Sequence, residues 1–228
     1  MYQIIFKREE QKYLLNKKQY SYLMKELKPY LEKDRFFDNT ICNVYFDTEK
    51  DDLITHSLTK PIFKIKLRLR SYGVPKKNDL VFLEIKDKYK GIVGKRRVQI
   101  KLKDFYDFLE KEEYKESQIM NEIRYFFQFY HLIPKIFIAY DRKSYYSKED
   151  ANFRITFDSN IRSRREDLKL ELGDAGTKYF KEETFIMEVK TLNALPLWFV
   201  SILSRLKIYP SSFSKYGSIY EKERCKNA

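Results

Sequence analysis

Polar and apolar residues alternate most sharply between Ile62 and Arg70, where Lys64, Lys66, Arg68 and Arg70 interleave with Phe63, Ile65, Leu67 and Leu69. Successive side chains of a strand point to opposite faces, so this segment reads as a strand with one basic and one apolar face. The period of two recurs. Phe82, Glu84, Lys86 and Lys88 alternate with Val81, Leu83 and Ile85; Lys95, Arg97, Gln99 and Lys101 with Val98, Ile100 and Leu102; and Arg154, Thr156, Asp158, Asn160 and Arg162 with Phe153, Ile155, Phe157 and Ile161. Strands are therefore expected from Ile4 to Leu15, Thr40 to Phe46, Ile62 to Tyr72, Leu80 to Tyr89, Ile92 to Leu102, Lys135 to Tyr146, Asn152 to Arg164 and Thr184 to Thr191. Tyr89-Lys90-Gly91 is the expected hairpin turn.

Between these strands the period changes. Asn16 is the expected N-cap of a helix with Tyr20, Leu23 and Leu27 on one side, ended or kinked by Pro29. Further helices are expected from Lys103 to Glu112, Ser117 to Tyr130, Pro196 to Leu206 and Ser214 to Lys222. Such helices can cover the apolar strand faces and leave the polar faces to close on themselves. The expected fold is α+β: a closed antiparallel β-barrel, in effect a tunnel, with helices packed on the outside. No proline- or glycine-rich linker interrupts the sequence, so residues 1–228 are expected to form a single domain.

Charge then says what the polar face is for. Lys and Arg number 46 against 33 Asp and Glu, a formal net charge of +13. An ordinary solvated strand face mixes signs because aligned like charges repel, whereas these faces put cation beside cation. A narrow basic lumen is costly without an anion, so an anionic ligand is expected, and phosphate suits Arg forks and mobile Lys charges. Glu10-Gln-Lys12, Glu84-Ile-Lys86 and Glu188-Val-Lys190 each put a carboxylate and a cation on one face. Each Glu either neutralises a neighbouring cation or holds a metal. Glu188 is taken as the ligand of Mg²⁺ or Mn²⁺, ahead of Glu10 and Glu84.

Other features narrow the class. Cys42 and Cys225 lie too far apart for a metal motif, and His56 and His131 are the only histidines, so a structural zinc site is not expected. The longest largely apolar run, Leu195 to Leu203, is about half a membrane span. The expected location is cytoplasmic. Gly173-Asp-Ala-Gly176 lacks the Walker pattern and reads as a turn.

Taken in order, Phe6-Lys-Arg-Glu-Glu-Gln-Lys-Tyr13, Asn43-Val-Tyr-Phe-Asp-Thr48, Lys66-Leu-Arg-Leu-Arg-Ser-Tyr-Gly73, Phe82-Leu-Glu-Ile-Lys86, Lys95-Arg-Arg97, Ala139-Tyr-Asp-Arg142, Arg154-Ile-Thr-Phe-Asp158, Met187-Glu-Val-Lys190 and Ser214-Lys-Tyr-Gly217 span nearly the whole chain. This series resembles the VTC domain, the polyphosphate polymerase module of the triphosphate tunnel metalloenzyme superfamily. The resemblance implies a tunnel barrel that transfers the γ-phosphate of ATP onto a polyphosphate chain with a divalent metal, usually manganese. It implies a catalytic, phosphate-gripping set of Lys12, Arg68, Arg70, Lys86, Arg142, Arg154 and Lys215, joined by Lys95 or Arg97, with Glu188 as metal ligand. Lys66 and Lys190 join the phosphate-binding set from the basic strand faces. The hydrolase and cyclase branch of the superfamily opens with Glu-x-Glu-x-Lys, whereas Arg8, Glu10 and Lys12 occupy those positions here, which favours the polymerase branch. The eukaryotic polymerases also carry a regulatory domain and a membrane region, so the resemblance is to a freestanding bacterial-type member.

Three functions follow as expectations. The first is a metal-dependent phosphotransferase acting on ATP, triphosphate or polyphosphate, a triphosphate hydrolase being its variant on the same ligands. The second is a sensor that binds polyphosphate or inositol phosphates without turnover. The third, nucleic-acid binding, would need exposed stacking aromatics, and Phe63, Phe153 and Phe157 fall on the face assigned to helix cover, so no nucleic acid partner is expected. No membrane span is expected, though a membrane protein could take up the product.

Overall fold

The computed structural model describes residues 9–90, 92–111, 113–192 and 194–227. Among them the chain runs β1 (Glu9–Asn16), α1 (Lys17–Leu27), β2 (Leu31–Asp47), α2 (Asp52–Leu58), β3 (Phe63–Tyr72), β4 (Leu80–Tyr89), β5 (Ile92–Lys101), α3 (Leu102–Lys111), α4 (Gln118–Tyr130), β6 (Ile133–Ser147), β7 (Arg154–Arg164), a short 3₁₀ turn (Leu170–Leu172), β8 (Thr177–Lys178), β9 (Thr184–Thr191), α5 (Leu197–Arg205) and α6 (Lys215–Asn227). The class is α+β, with one large antiparallel sheet and six helices among the described residues. None of those helices is long and apolar enough to cross a membrane.

The strands are hydrogen-bonded in the order β1-β9-β7-β6-β2-β3-β4-β5, with β8 on β7. β1 and β5 stand at the ends of this order, so among the described residues hydrogen bonding does not close the sheet into the expected barrel. At the β5 end, Lys95, Arg97 and Lys101 are charged and exposed, a pattern that blunts edge pairing.

Local signals account for most elements. Asn16 and Gln19 form a capping box, the Asn16 side chain accepting from Gln19 N at 2.8 Å and the Gln19 side chain from Asn16 N at 3.1 Å. Leu23 and Leu27 then point into the core. Ser117 caps α4 in the same sense, its hydroxyl accepting from Met120 N at 3.2 Å. The turn between β4 and β5 lies as expected, with Lys90 in the left-handed region at φ 46°, while Gly91 lies outside the described residues. So do Ile4 to Arg8 of the expected first strand.

The chain divides into two compact units. One comprises Met1–Asn39, Tyr140–Ile161 and Lys178–Phe213, and its core joins Tyr13, Leu15, Leu23, Phe157, Met187 and Phe199 from β1, α1, β7, β9 and α5. The other comprises Thr40–Ala139, Arg162–Thr177 and Ser214–Ala228, and packs the apolar faces of β2 to β4 under α3 and α4 through Val44, Leu67, Leu83, Phe105, Met120 and Ile123.

Candidate functional site

In the second unit the register turns the sequence alternation into cross-strand rows. Lys66 stands opposite Lys86, which stands opposite Lys95, so three lysines from β3, β4 and β5 form one row. The adjacent row runs Tyr45, Arg68, Glu84 and Arg97. The next runs Asn43, Arg70, Phe82 and Gln99. Directly opposed like charges destabilise a sheet, so the lysine row is an electrostatic cost that the apolar faces do not require.

Glu84 carries the neighbouring row. Its side chain is 1% exposed, and it receives Arg68 at 2.7 and 2.8 Å and Lys95 at 2.7 Å, with Arg70 at 3.9 Å. Burial pushes its carboxyl up, but Arg68, Arg70 and Lys95 outweigh burial and hold it down at about 2. Arg68 also donates to the Tyr45 hydroxyl at 3.1 Å, and Arg70 to the Asn43 side chain at 2.9 Å, itself tied to Ile138 O. Burial would raise the Tyr45 hydroxyl, yet Arg68 and Arg70 bring it down to about 8. Lys95 is held near 8 by its own desolvation, which Glu84 only partly offsets. Lys66 donates to the Ser214 hydroxyl at 3.0 Å, immediately before Lys215 opens α6. Gly217 follows, where an added Cβ would sit 3.2 Å from both Leu58 and Ser214, so the Ser214-Lys-Tyr-Gly turn is closely packed.

In the first unit β1, β9 and β7 form two rows of their own. Lys12, Glu188 and Thr156 share one; Glu10, Lys190 and Arg154 share the next. Arg142 of β6 grips the fully buried Asp158 with two bonds of 2.6 and 2.7 Å and reaches Glu188 at 3.3 Å. Its own burial works against the guanidinium, but Asp158 and Glu188 hold it well above the usual value. Lys12 lies 3.6 Å from Glu188 and 3.7 Å from Glu10, and donates to Phe213 O at 3.0 Å. Arg154 is exposed.

The structure thus sorts the expected residues into two groups. Lys66, Arg68, Arg70, Glu84, Lys86, Lys95, Arg97 and Lys215 belong to one unit, and Glu10, Lys12, Arg142, Arg154, Glu188 and Lys190 to the other. The sequence model of the VTC domain matches residues 7–222. The chain belongs to the VTC domain family. Among curated proteins nothing matches. Two solved structures share the fold of this VTC domain. One is a candidate adenylate cyclase from Bacillus halodurans, with 15% identity, a TM-score of 0.55 and coverage of 91% of this chain and 95% of that one. The other is a candidate adenylate cyclase from Vibrio parahaemolyticus, with 13% identity, a TM-score of 0.51 and coverage of 93% and 97%.

The VTC domain also uses residues that the sequence did not assign. Asp158, Asn43 and Tyr45 orient Arg142, Arg70 and Arg68 respectively, and all three sit within the quoted motifs. Alternation placed Asp158 on the polar face, but only strand pairing reveals which cation it serves. The alternation expected to continue through Asn160 and Arg162 is interrupted, because Asn160 takes φ 50° and Arg162 turns to Asp174. Arg162 and Arg164 bond the carbonyls of Gly173, Asp174 and Ala175, which makes that segment an arginine-held turn.

Among the described residues no group of three or more His, Cys, Asp and Glu side chains is arranged to hold a metal ion. The carboxylates nevertheless differ in what they could hold. Glu84 is taken up by Arg68 and Lys95, each at 2.7 Å. Glu188 meets Arg142 at 3.3 Å and Lys12 at 3.6 Å, and the buried hydroxyl of Thr156, opposite it in register, has no hydrogen-bond partner. A carboxylate beside a spare hydroxyl suits a hard divalent cation whose other ligands are phosphates.

Proposed function

We propose that this VTC domain binds ATP and polyphosphate along these basic faces, within the closed tunnel its family implies, and transfers the γ-phosphoryl group to the end of a polyphosphate chain. The observation that carries the reading is the Lys66, Lys86 and Lys95 row, three cations opposed in register whose combined charge suits a multivalent anion. Arg68 and Arg70, already oriented by Glu84, Tyr45 and Asn43, present fixed forks to phosphate oxygens, while the lysines follow them as mobile charges. Arg142, Lys12 and Lys190 would take the same part in the other unit.

Phosphoryl transfer of this kind needs positioning and charge stabilisation more than covalent chemistry. A terminal phosphate is ionised at neutral pH and serves as its own nucleophile. Glu188, with Thr156 beside it and Glu10 one row away, would hold Mn²⁺ or Mg²⁺. When bound, that ion supplies positive charge to oxygens that become more negative during transfer. The reading takes residues 1–228 as one functional domain in the cytoplasm, with a membrane protein as a candidate partner and no nucleic acid.

A second reading is a sensor that binds polyphosphate or inositol phosphates without turnover, and the sparse carboxylate set around Glu188 favours it. Hydrolysis of triphosphate on the same residues is a third. One experiment separates them: the pure protein is incubated with ATP and Mn²⁺ or Mg²⁺, and the products are resolved on a polyphosphate gel beside a phosphate-release assay and calorimetry. A ladder of long chains supports the polymerase, released phosphate alone the hydrolase, and binding alone the sensor. Absence of triphosphate binding overturns all three.

A further inference from the structure

In the unit that carries the lysine row, the ends of β3, β4 and β5 form a tip that the site does not use. Phe63, Tyr89 and Ile92 lie in one cross-strand row on the face that is elsewhere covered by helices. Ile65, Leu67 and Leu69 on that face are buried, yet Phe63, Tyr89 and Ile92 are 41, 50 and 58% exposed. Phe63 was expected beneath helix cover. Instead, Arg96, two rows further in, links Asp87 of the intervening row to Glu122 of α4, and outside that link the apolar row faces solvent. Ile62, 68% exposed, and Val93, 50% exposed, add to the tip.

Lysines surround these side chains. Lys64 and Lys88 stand opposite each other, Lys60 precedes β3, and Lys90 sits in the turn with its ammonium 5.4 Å from the Tyr89 ring centroid. Asp87, the nearest carboxylate along β4, is already bound to Arg96 at 3.0 Å. The backbone bond from Lys90 N to Ile62 O, 2.9 Å, ties the end of β4 to the start of β3.

We propose that this tip docks on an anionic lipid surface, with Ile62, Phe63, Tyr89, Ile92 and Val93 entering the headgroup boundary and the four lysines meeting the headgroups. Apolar groups project on both faces of the strand ends, Val93 on one and Ile92 on the other, a shape that fits a fluid boundary better than a protein groove. Tyrosine and lysine both suit that depth, the first with a polar tip on an apolar ring and the second with an aliphatic stem below its charge. Nucleic acid would need a free ring face for stacking, and the Tyr89 ring already has Lys90 beside it. Lysine charge and apolar insertion supply the two signals that stable peripheral attachment requires.

The test is co-sedimentation of the whole protein with phosphatidylcholine vesicles with and without about one third phosphatidylserine, a composition chosen to give a strongly negative surface. Binding is expected only with phosphatidylserine, and each of Lys60→Gln, Lys88→Gln and Lys90→Gln should weaken it about fivefold. Ile62→Ser with Ile92→Ser should weaken it at least about tenfold at unchanged charge. Lys18→Gln with Lys28→Gln, exposed positions in the other unit, should change it about twofold or less, which separates the tip from general adsorption of a basic protein. The proposal is overturned if the wild type ignores phosphatidylserine, if the double serine variant binds as the wild type does, or if the control pair loses as much as the tip lysines. Retention of binding to soluble polyglutamate with no vesicle binding would likewise overturn it and assign the tip to an acidic protein.

Discussion

Replacing Glu84 by Gln removes a buried negative charge from among Arg68, Arg70 and Lys95 while keeping the side chain's size. The wild-type carboxyl is held at about 2 against an ordinary 4.5, burial working against the charge and Arg68, Arg70 and Lys95 outweighing it. A difference of about two and a half pH units corresponds to about 3 kcal/mol of stability at neutral pH. Loss of one partner from a buried ion pair costs about 3–5 kcal/mol, which is the same size. Because the folded-state value is depressed, this stability is present above the unfolded value near 4.5 and is lost as pH falls through about 2. Urea unfolding of wild type and Glu84→Gln should therefore differ by about 3 kcal/mol at pH 7 and converge in acid. Triphosphate should narrow the gap at pH 7, since its oxygens replace the missing anion, and should bind the variant as tightly as the wild type or more so. A gap below about 1 kcal/mol, the scale of an exposed pair, would refute the assignment of Glu84 as the row's counter-charge. A collapse of triphosphate affinity would do the same, because a phosphate-repelling carboxylate cannot be a phosphate ligand.

Lys66→Ala with Lys86→Ala should lower triphosphate affinity in calorimetry by at least about tenfold, because two of the row's mobile charges are removed from the anion. Lys95 is depressed to about 8, so its folded-state penalty is fully present below that pH and fades as pH rises towards the unfolded value of 10.5. Triphosphate affinity should correspondingly weaken as pH rises from 7 to 9, and Lys95→Arg, which keeps its charge, should flatten that profile. Glu188→Gln should cut turnover with Mn²⁺ at least about a hundredfold while metal-free triphosphate affinity, measured in chelator, stays equal or tightens; full turnover would move the metal role elsewhere.

What the sequence disclosed followed the strength of its periodicity. β4 (Leu80–Tyr89) and β9 (Thr184–Thr191) lie at the expected residues, because Val81, Leu83 and Ile85 in one and Phe185, Met187 and Val189 in the other alternate with Glu84 and Lys86 and with Glu188 and Lys190. β2 begins at Leu31, nine residues before the expected Thr40, because the segment from Glu32 to Thr40 has no consistently buried face to mark it as a strand. α2 escaped notice for a related reason. Its first amides are held by residues ahead of the N-cap position, Thr48 accepting from Asp52 N at 2.9 Å and Asp47 from Leu53 N at 2.8 Å and Ile54 N at 2.9 Å, while Asp51 at the N-cap makes no side-chain bond. In the site, the cations were legible because strand alternation exposes them, whereas their orienting partners Asp158, Asn43 and Tyr45 depend on which strands become neighbours.

The imbalance between cations and carboxylate in the lysine-bearing unit has a consequence for selectivity. Lys66, Lys86, Lys95, Arg68, Arg70 and Arg97 share three adjoining strands with Glu84 as the carboxylate in their rows. Such a surface measures a ligand by its charge more than by its shape. Each phosphoryl group added to a short chain brings more negative charge to this cation-rich face, so affinity should climb from orthophosphate through pyrophosphate to triphosphate. Once the surplus is matched, further groups add little, and the face becomes indifferent to how long the chain has grown. That is the behaviour a processive site needs, since it can hold a lengthening product without gripping each longer version more tightly than the last.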